Sequence, residues 1–184
     1  MSSFEVLQQK IPLNNQIGLI GILLCAFSSP FIMPLNIVAI TTKFVEATNG
    51  QVGFVATIET LFIAISSIIL SRIVNKVNRK NVFLIASLLV MLGNLLTIFS
   101  PELNLVIVSS MIAGLGSGAI VATVMATIAR GSNGQMTFAL LNSGVGVMGI
   151  MLPFLLPIII KSNGMEGAYS LHFLISLMTL FFYA

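Results

Sequence analysis

Glu59 is the residue whose surroundings point most directly to chemistry. It lies about seven positions inside an apolar segment, 52–70, that contains no Lys or Arg. A charged side chain at the centre of a bilayer costs about 2.5–3.5 kcal/mol, so such a residue normally faces a helix-bundle interior or a water-filled cavity. Three interpretations stay open. Glu59 is a proton carrier or solute contact that faces a cavity, a neutral acid held by structural hydrogen bonds, or a residue near the outer edge of the membrane that reaches water.

Several polar residues are predicted to lie at a depth similar to that of Glu59. At about 1.5 Å per residue of helix, they sit roughly 6–11 Å below one membrane surface, and they are Asn36, Asn94, Ser109, Ser110 and His172. Each of these residues could instead form a hydrogen bond between packed helices. We predict that Asn36 is the neighbour of Glu59. The predicted proton or solute pathway comprises Glu59, Asn36, Ser110 and Asn142.

The composition indicates an integral membrane protein. Of the 184 residues, 57% are hydrophobic and 7% are charged, whereas an ordinary soluble domain is about 25% charged. The net charge of +3 does not indicate nucleic-acid binding, because the basic residues lie in loops and form no stripe with aromatic side chains. The single cysteine, Cys25, excludes an intrachain disulfide and offers no zinc-ligand spacing. No metal or cofactor is predicted.

Six apolar segments are long enough to be membrane helices. They cover 17–42, 52–70, 82–99, 105–129, 137–160 and 168–184, and the last is expected to be cut short. Every backbone polar group in a bilayer must be paired internally, and these runs do not alternate as barrel strands do, so the fold class is all-α. Residues 1–16 form a predicted cytoplasmic segment, and 17–184 form one membrane domain. Short links make consecutive helices antiparallel neighbours.

The positive-inside rule orients the bundle. With the N-terminus in the cytoplasm, six basic residues are inside: Lys10, Arg72, Lys76, Arg79, Lys80 and Arg130. Only Lys43 and Lys161 are then outside. The predicted location is the cell membrane, with several passes and a cytoplasmic N-terminus.

The second link, "SRIVNKVNRK", resembles the signature loop of the major facilitator superfamily. That loop has Gly, three residues, Asp, a basic residue, one residue, Gly, and a basic pair. The corresponding positions here are Ser71, Asn75, Lys76, Asn78, Arg79 and Lys80. The basic positions match, while both glycines and the acid are replaced.

Two further segments resemble the same family. "SSMIAGLGSGAIVA" is similar to its glycine-rich fourth helix, with Ser110 at the position where the family often has Arg. "NSGVGVMGIMLPFLLP" is similar to its Gly/Pro-rich fifth helix. The resemblance implies two six-helix halves with a solute bound between them at mid-membrane, and a cytoplasmic gate at Arg79 and Lys80. One half is present, so the chain is a fragment, a split gene product or a half-transporter that pairs.

Prolines and glycines predict local geometry. Pro30 and Pro34 interrupt the hydrogen bonding of the first segment, and a bend there would free carbonyl groups near Asn36. Gly114 and Gly118 form a G-x-x-x-G pair, which favours close packing of helices.

The leading hypothesis is the N-terminal half of a secondary active transporter, which moves a small solute by alternating access, with proton coupling as an option. Its partners would be the lipid bilayer, a small-molecule substrate and a second six-helix half. A non-transporting membrane scaffold or an inactive fragment is the alternative. A minor alternative is an intramembrane serine protease, because Ser117 in "GLGSG" and His172 resemble the pair of a rhomboid protease.

Overall fold

The computed structural model of the protein describes residues 10–181, and all regular structure in this range is helical. The helices are α1 (Leu13–Phe31), α2 (Met33–Lys43), α3 (Asn49–Ile73), α4 (Arg79–Ile98), α5 (Leu103–Ile128) and α6 (Gly134–Phe181). The all-α class predicted from composition is therefore confirmed. Residues 1–9 of the predicted cytoplasmic segment lie outside the described residues, and the rest of that segment already contains the start of α1.

The predicted first segment consists of two helices, because the chain bends by 57° between α1 and α2. Ile32 is the residue between them, with φ −116° and ψ 26°. Pro30 lies inside the last turn of α1, and Pro34 lies in the first turn of α2, where its missing N–H costs nothing. The bend therefore occurs between the two prolines.

The predicted fifth and sixth segments are merged in α6, which corrects the predicted link at 161–167. The helix has 48 residues, with one non-helical residue, Gly164, at φ 60° and ψ −147°. A Cβ on Gly167 would lie 2.9 Å from Ile159 Cγ2, eight residues earlier, which is possible only if the chain reverses direction. A single left-handed glycine makes this turn, so the flanking polar residues stay helical. We call 134–163 the first arm of α6 and 165–181 the second arm.

Helix caps explain why α3 and α4 begin about a turn earlier than predicted. Thr48 and Gln51 form a capping box at the start of α3, and the Asn78 side chain accepts a hydrogen bond from the Lys80 N–H at 2.9 Å. The turn-forming residues "TNGQ" are therefore part of the helix start rather than of a loop.

The helices are suited to a membrane. In the described part of the chain, α3, α4, α5 and α6 are each long and apolar enough to cross one, and α1 and α2 meet the same criterion as a bent pair. At about 1.5 Å per residue α6 would be about 72 Å long if straight, more than twice the roughly 30 Å of a hydrocarbon core. Its two arms therefore supply two crossings.

Helix α5 is the centre of the bundle and packs most extensively on α3 and α4. On the α3 side, a Cβ on Gly114 would lie 2.6 Å from the Glu59 carbonyl oxygen. A Cβ on Gly118 would overlap the Ile63 carbonyl oxygen. The G-x-x-x-G pair thus brings the two backbones together, as its spacing predicts.

The opposite face of α5 approaches α4 equally closely. A Cβ on Gly116 would lie 2.5 Å from the Ala86 carbonyl oxygen, and one on Gly93 of α4 would lie 2.7 Å from the Ala113 nitrogen. Glycines facing in two directions therefore let α5 contact two helices at once.

The N-terminal segment is attached to the link between α5 and α6. The Ile11 N–H donates to Asn133 Oδ1 at 2.8 Å, and Asn133 Nδ2 donates to the Ile11 carbonyl at 3.2 Å. Gln16 Nε2 donates to the same carbonyl at 2.8 Å. The two hydrogen bonds between Ile11 and Asn133 join residues that are 122 positions apart in the sequence.

Charge separates the two ends of the bundle. At the end where α1, α4 and α6 begin, here called the basic end, the described residues include six cations and no acid: Lys10, Arg72, Lys76, Arg79, Lys80 and Arg130. At the opposite end they include two cations and three acids: Lys43, Lys161, Glu46, Glu102 and Glu166. There Lys43 Nζ forms an ion pair with Glu166 Oε1 at 2.6 Å and ties α2 to the second arm.

The glycine contacts of α5 yield a stability prediction. Gly118→Ala should destabilise the protein by about 1–3 kcal/mol relative to Gly146→Ala, because the new methyl group displaces the α3 backbone. Gly146 is a matched control: it is also helical, with nothing within 4 Å of its Cβ position. Thermal unfolding of the purified variants in detergent measures the difference, and equal unfolding temperatures would contradict it.

Candidate functional site

Glu59 lies inside the bundle, with 2% of its surface exposed. Its carboxyl group has a side-chain hydrogen bond with Ser29 of α1. Its Oε1 atom has no hydrogen-bond partner among the described residues. The interpretation in which Glu59 faces an open cavity is not what the structure has, because Glu59 shares the buried stripe of α3 with Val52 and Val55.

Asn36 of α2 connects Ser29 to the second arm of α6. Its Nδ2 atom donates to the Ser29 carbonyl at 3.3 Å and to Ser29 Oγ at 3.2 Å. Its Oδ1 atom lies 3.1 Å from His172 Nε2. Since the amide nitrogen is already donating, Oδ1 accepts here, and His172 Nε2 carries a proton. The carbonyl predicted to be available near Asn36 is therefore bound by Asn36 itself.

Tyr169 and His172 complete this group from the second arm. Their rings meet edge to face, with centroids 5.6 Å apart. The Tyr169 hydroxyl interacts electrostatically with Glu59. Both the Tyr169 hydroxyl and His172 Nδ1 are buried and lack a hydrogen-bond partner among the described residues. We call Glu59, Ser29, Asn36, Tyr169 and His172 the buried polar cluster.

The buried polar cluster holds unused hydrogen-bonding capacity. Its three unpartnered atoms are Glu59 Oε1, the Tyr169 hydroxyl oxygen and His172 Nδ1. An unpaired buried polar group costs about 1–3 kcal/mol, so most buried polar groups are satisfied. One of these atoms belongs to Glu59 and the other two to the second arm of α6.

Two further hydrogen-bonded pairs lie on the side of the bundle formed by α4 and α5. Asn94 Nδ2 donates to Ser176 Oγ at 3.3 Å, and Ser176 Oγ donates to the His172 carbonyl at 2.8 Å. The hydroxyl groups of Thr97 and Ser109 lie 2.6 Å apart. Of the residues predicted to share a depth, only Asn36 and His172 are hydrogen-bonded to each other, while Asn94 and Ser109 pair with Ser176 and Thr97.

The other two predicted pathway residues lie apart from these contacts. Ser110 is buried on α5, with 3% of its surface exposed. Asn142 is exposed on the first arm, where its Nδ2 donates to the Phe138 carbonyl at 2.9 Å. The buried stripe of the first arm includes Leu141 and Val145, so Asn142 points about 100° away from it.

Sequence reasoning missed Ser29 and Tyr169 and gave His172 little weight. Serines are common in membrane helices, and Ser29 matters only because the bend between α1 and α2 brings Asn36 back onto it. Tyr169 lies at the start of the predicted sixth segment, next to its link. The depth of His172 was the one signal available, and it does match that of Asn36.

The signature-like loop forms a second polar group at the basic end. Asn75 Oδ1 accepts from Arg130 Nη2 at 2.7 Å and from Arg79 Nη2 at 3.5 Å. Arg79 Nη1 donates to Thr127 Oγ1 at 3.2 Å. Of the other loop positions, Ser71 Oγ donates to the Ile68 carbonyl of its own helix at 2.8 Å, and Lys76 and Lys80 are exposed.

The described residues do not support metal chemistry or a serine protease. They contain no group of three or more His, Cys, Asp or Glu side chains able to hold a metal. His172 Nε2 contacts Asn36, and within the described part of the chain His172 Nδ1 has no partner. The Ser117–His172 dyad that a protease would need is therefore not formed.

A known protein family matches most of this sequence. None of the curated proteins matches the sequence. The family model for the Major Facilitator Superfamily matches residues 18–184. This match covers more than nine-tenths of the chain, and it agrees with the apolar helices, the basic loop and the glycine-rich α5. The chain therefore belongs to the Major Facilitator Superfamily, a superfamily of multi-pass membrane transporters.

Proposed function

We propose that the chain is the N-terminal half of a secondary active transporter that moves a small solute by alternating access and is driven by protons through Glu59. The observation that carries this proposal is the buried polar cluster. It places an enclosed acid beside Ser29 of α1 and Tyr169 of the second arm of α6, and Asn36 of α2 joins the same network through Ser29. Membership of the superfamily supports the transporter class, and the cluster supports the coupling.

Protonation of Glu59 changes what its carboxyl group can do. A carboxylate only accepts hydrogen bonds, whereas a carboxylic acid also donates one. Ser29 Oγ accepts from Asn36 Nδ2, so its hydroxyl proton is available to a Glu59 carboxylate. A protonated Glu59 competes for the role of donor and loosens this arrangement.

The position of Ser29 and Asn36 connects this chemistry to movement. Ser29 lies before the bend at Ile32 and Asn36 lies after it, so their two hydrogen bonds span the joint between α1 and α2. A proton arriving at Glu59 changes the bonds across this joint. The proton then acts on alternating access through a tilt of α2 against α1, which a proline-flanked joint allows.

The solute and the second six-helix half would contact residues outside the buried polar cluster. Solute in this superfamily's architecture is held between two halves, so the complete transporter needs a second six-helix half in the same or another chain. Asn142, on the exposed side of the first arm, is the candidate to meet the solute there. Ser110 and Asn36 lie deeper.

The charge difference between the two ends supports an orientation. The six cations of the basic end place it in the cytoplasm by the positive-inside rule. The N-terminus and the loop at 71–80 are then cytoplasmic, and the Lys43–Glu166 ion pair lies outside. The transporter resides in the cell membrane.

The orientation predicts opposite labelling of two introduced cysteines. Asn49→Cys and Val77→Cys should react with a membrane-impermeant thiol reagent from opposite faces, with Val77→Cys reacting only in permeabilised cells. Val77 is used because it is 36% exposed and, unlike Asn78, caps no helix. The native Cys25 is buried and gives the background signal. Reaction of Val77→Cys in intact cells would reverse the orientation.

Protonation of Glu59 can be tested without knowing the solute. Infrared difference spectra of the reconstituted chain, recorded between acidic and alkaline pH, should contain the carbonyl band of a buried carboxylic acid, and Glu59→Gln should remove it. Glu166→Gln is the matched control, because its carboxyl is exposed and paired with Lys43. A band that persists in Glu59→Gln would show that Glu59 does not titrate.

Transport by the complete protein tests the coupling itself. In vesicles, Glu59→Gln should still exchange a transported solute across the membrane but should no longer accumulate it when driven by a pH difference. Glutamine preserves the shape of the side chain and, like the protonated acid, has both an acceptor and a donor, but it cannot titrate. Accumulation equal to that of the wild type would make Glu59 structural, and a complete wild-type protein that moves no solute would favour the scaffold alternative.

A further inference from the structure

Two arginines at the basic end share one neutral oxygen atom. Arg130 Nη2 donates to Asn75 Oδ1 at 2.7 Å and Arg79 Nη2 donates to it at 3.5 Å. A guanidinium group is always charged and has five donors, so it normally pairs with a carboxylate or a phosphate. An amide oxygen supplies only a partial negative charge and leaves two positive charges side by side.

No acid in the described part of the chain compensates these two charges. The basic end has six cations there and no Asp or Glu. Arg130 interacts unfavourably with Arg79 at this separation. The two side chains stay together because Asn75 bridges them and because Thr127 fixes Arg79 from α5 at 3.2 Å. The pair is thus positioned by the fold rather than free in solvent.

The helix ends around the pair also favour an anion. Arg79 and Lys80 occupy the first turn of α4, where the exposed N–H groups carry partial positive charge and acidic groups are preferred. That turn contains no acidic residue. The local field therefore attracts a negatively charged group from outside the chain.

The surface beside the pair is apolar. Ile69, Ile73 and Val77 are exposed large hydrophobic residues in the last turns of α3 and just after it. Basic groups bordering an exposed apolar helix surface lie at the depth of lipid headgroups. A phosphate group attached to acyl chains would meet both parts of this surface.

We propose that Arg79, Arg130 and Asn75 form a binding site for a phosphate group, which an anionic phospholipid supplies. The two guanidiniums donate to the phosphate oxygens in pairs, as they do in other phosphate sites. The Asn75 amide group contributes a further donor, and the acyl chains lie along the exposed end of α3. Soluble phosphate has the same chemistry, and the experiment separates the two sources.

The test compares two variants with the same change in net charge. Asn75→Asp supplies a carboxylate that pairs with both arginines inside the protein, so it should abolish the preference for anionic lipid. Lys80→Gln also removes one positive charge from the basic end but leaves the arginine pair intact. Lys161→Gln, at the opposite end, is the control for unrelated charge changes.

The measurement uses the purified full chain in nanodiscs that mix phosphatidylcholine with brominated phosphatidylglycerol. A fluorescent probe on Val77→Cys reports contact through quenching. Preference for phosphatidylglycerol should fall by about fivefold or more in Asn75→Asp, because the new carboxylate occupies the donors of both guanidinium groups and repels the phosphate. It should change less than twofold in the two lysine variants. Unfolding temperatures confirm that each variant is folded.

The outcomes decide the proposal. Quenching that depends on Asn75 and persists with inorganic phosphate present supports a lipid site. Competition by inorganic phosphate in detergent, lost in Asn75→Asp, supports the same site with a soluble ligand. Equal losses in Asn75→Asp and Lys80→Gln would reduce the effect to a general basic surface, and they would overturn the site, as would no preference in the wild type.

Discussion

The contact between the backbones of α5 and its two neighbours is the constraint on which the rest of the structure depends. In a membrane the hydrophobic effect does not drive helices together, so close packing of small residues and a few hydrogen bonds must do so. Gly114 and Gly118 face α3, while Gly116 faces α4. Ser66 Oγ and Ser67 Oγ of α3 add hydrogen bonds to the Leu115 and Gly118 carbonyls at 2.7 and 3.0 Å.

The same contact determines where the acid lies. Gly114 packs against the carbonyl group of Glu59 itself, so the backbone of Glu59 can lie close to α5 at the bundle centre. Its side chain is then directed to Ser29, and through Ser29 to Asn36 and His172. The bundle therefore has a closely packed centre, formed by α3 and α5, and a bent edge, where α1 and α2 meet at an angle.

The sequence predicts how deep a residue lies in the membrane better than it predicts which way its side chain points. Helical rise is fixed and the links are short, so Asn36 and His172 could be placed at one depth before their 3.1 Å contact was seen. Direction is harder, because a membrane helix is apolar on every face. Asn142 was therefore predicted in one pathway with Glu59, but its side chain is exposed on the first arm, away from the buried acid. The direction of Glu59 is likewise known only from the structure, in which it shares the buried face of α3 with Val52 and Val55.

The turn-forming residues in the sequence show where the chain turns, but they overestimate how many residues leave the helix. The residues "KSNGMEG" do mark a reversal of the chain, but Gly164 alone makes it and the rest is helical. Similarly, "TNGQ" is a helix cap. In both places the backbone uses the fewest non-helical residues that geometry allows, because each unpaired peptide group is costly near a membrane.

The attachment of Ile11 to Asn133 has a consequence for the order of events during synthesis. The N-terminal segment emerges from the ribosome first, yet its hydrogen-bond partner is 122 residues further along. At translation rates of about 5–20 residues per second, this delay is on the order of ten seconds. For that time α1 must stay in the membrane without its final contact. The contact between Ile11 and Asn133 can therefore form only after α5 has been synthesised.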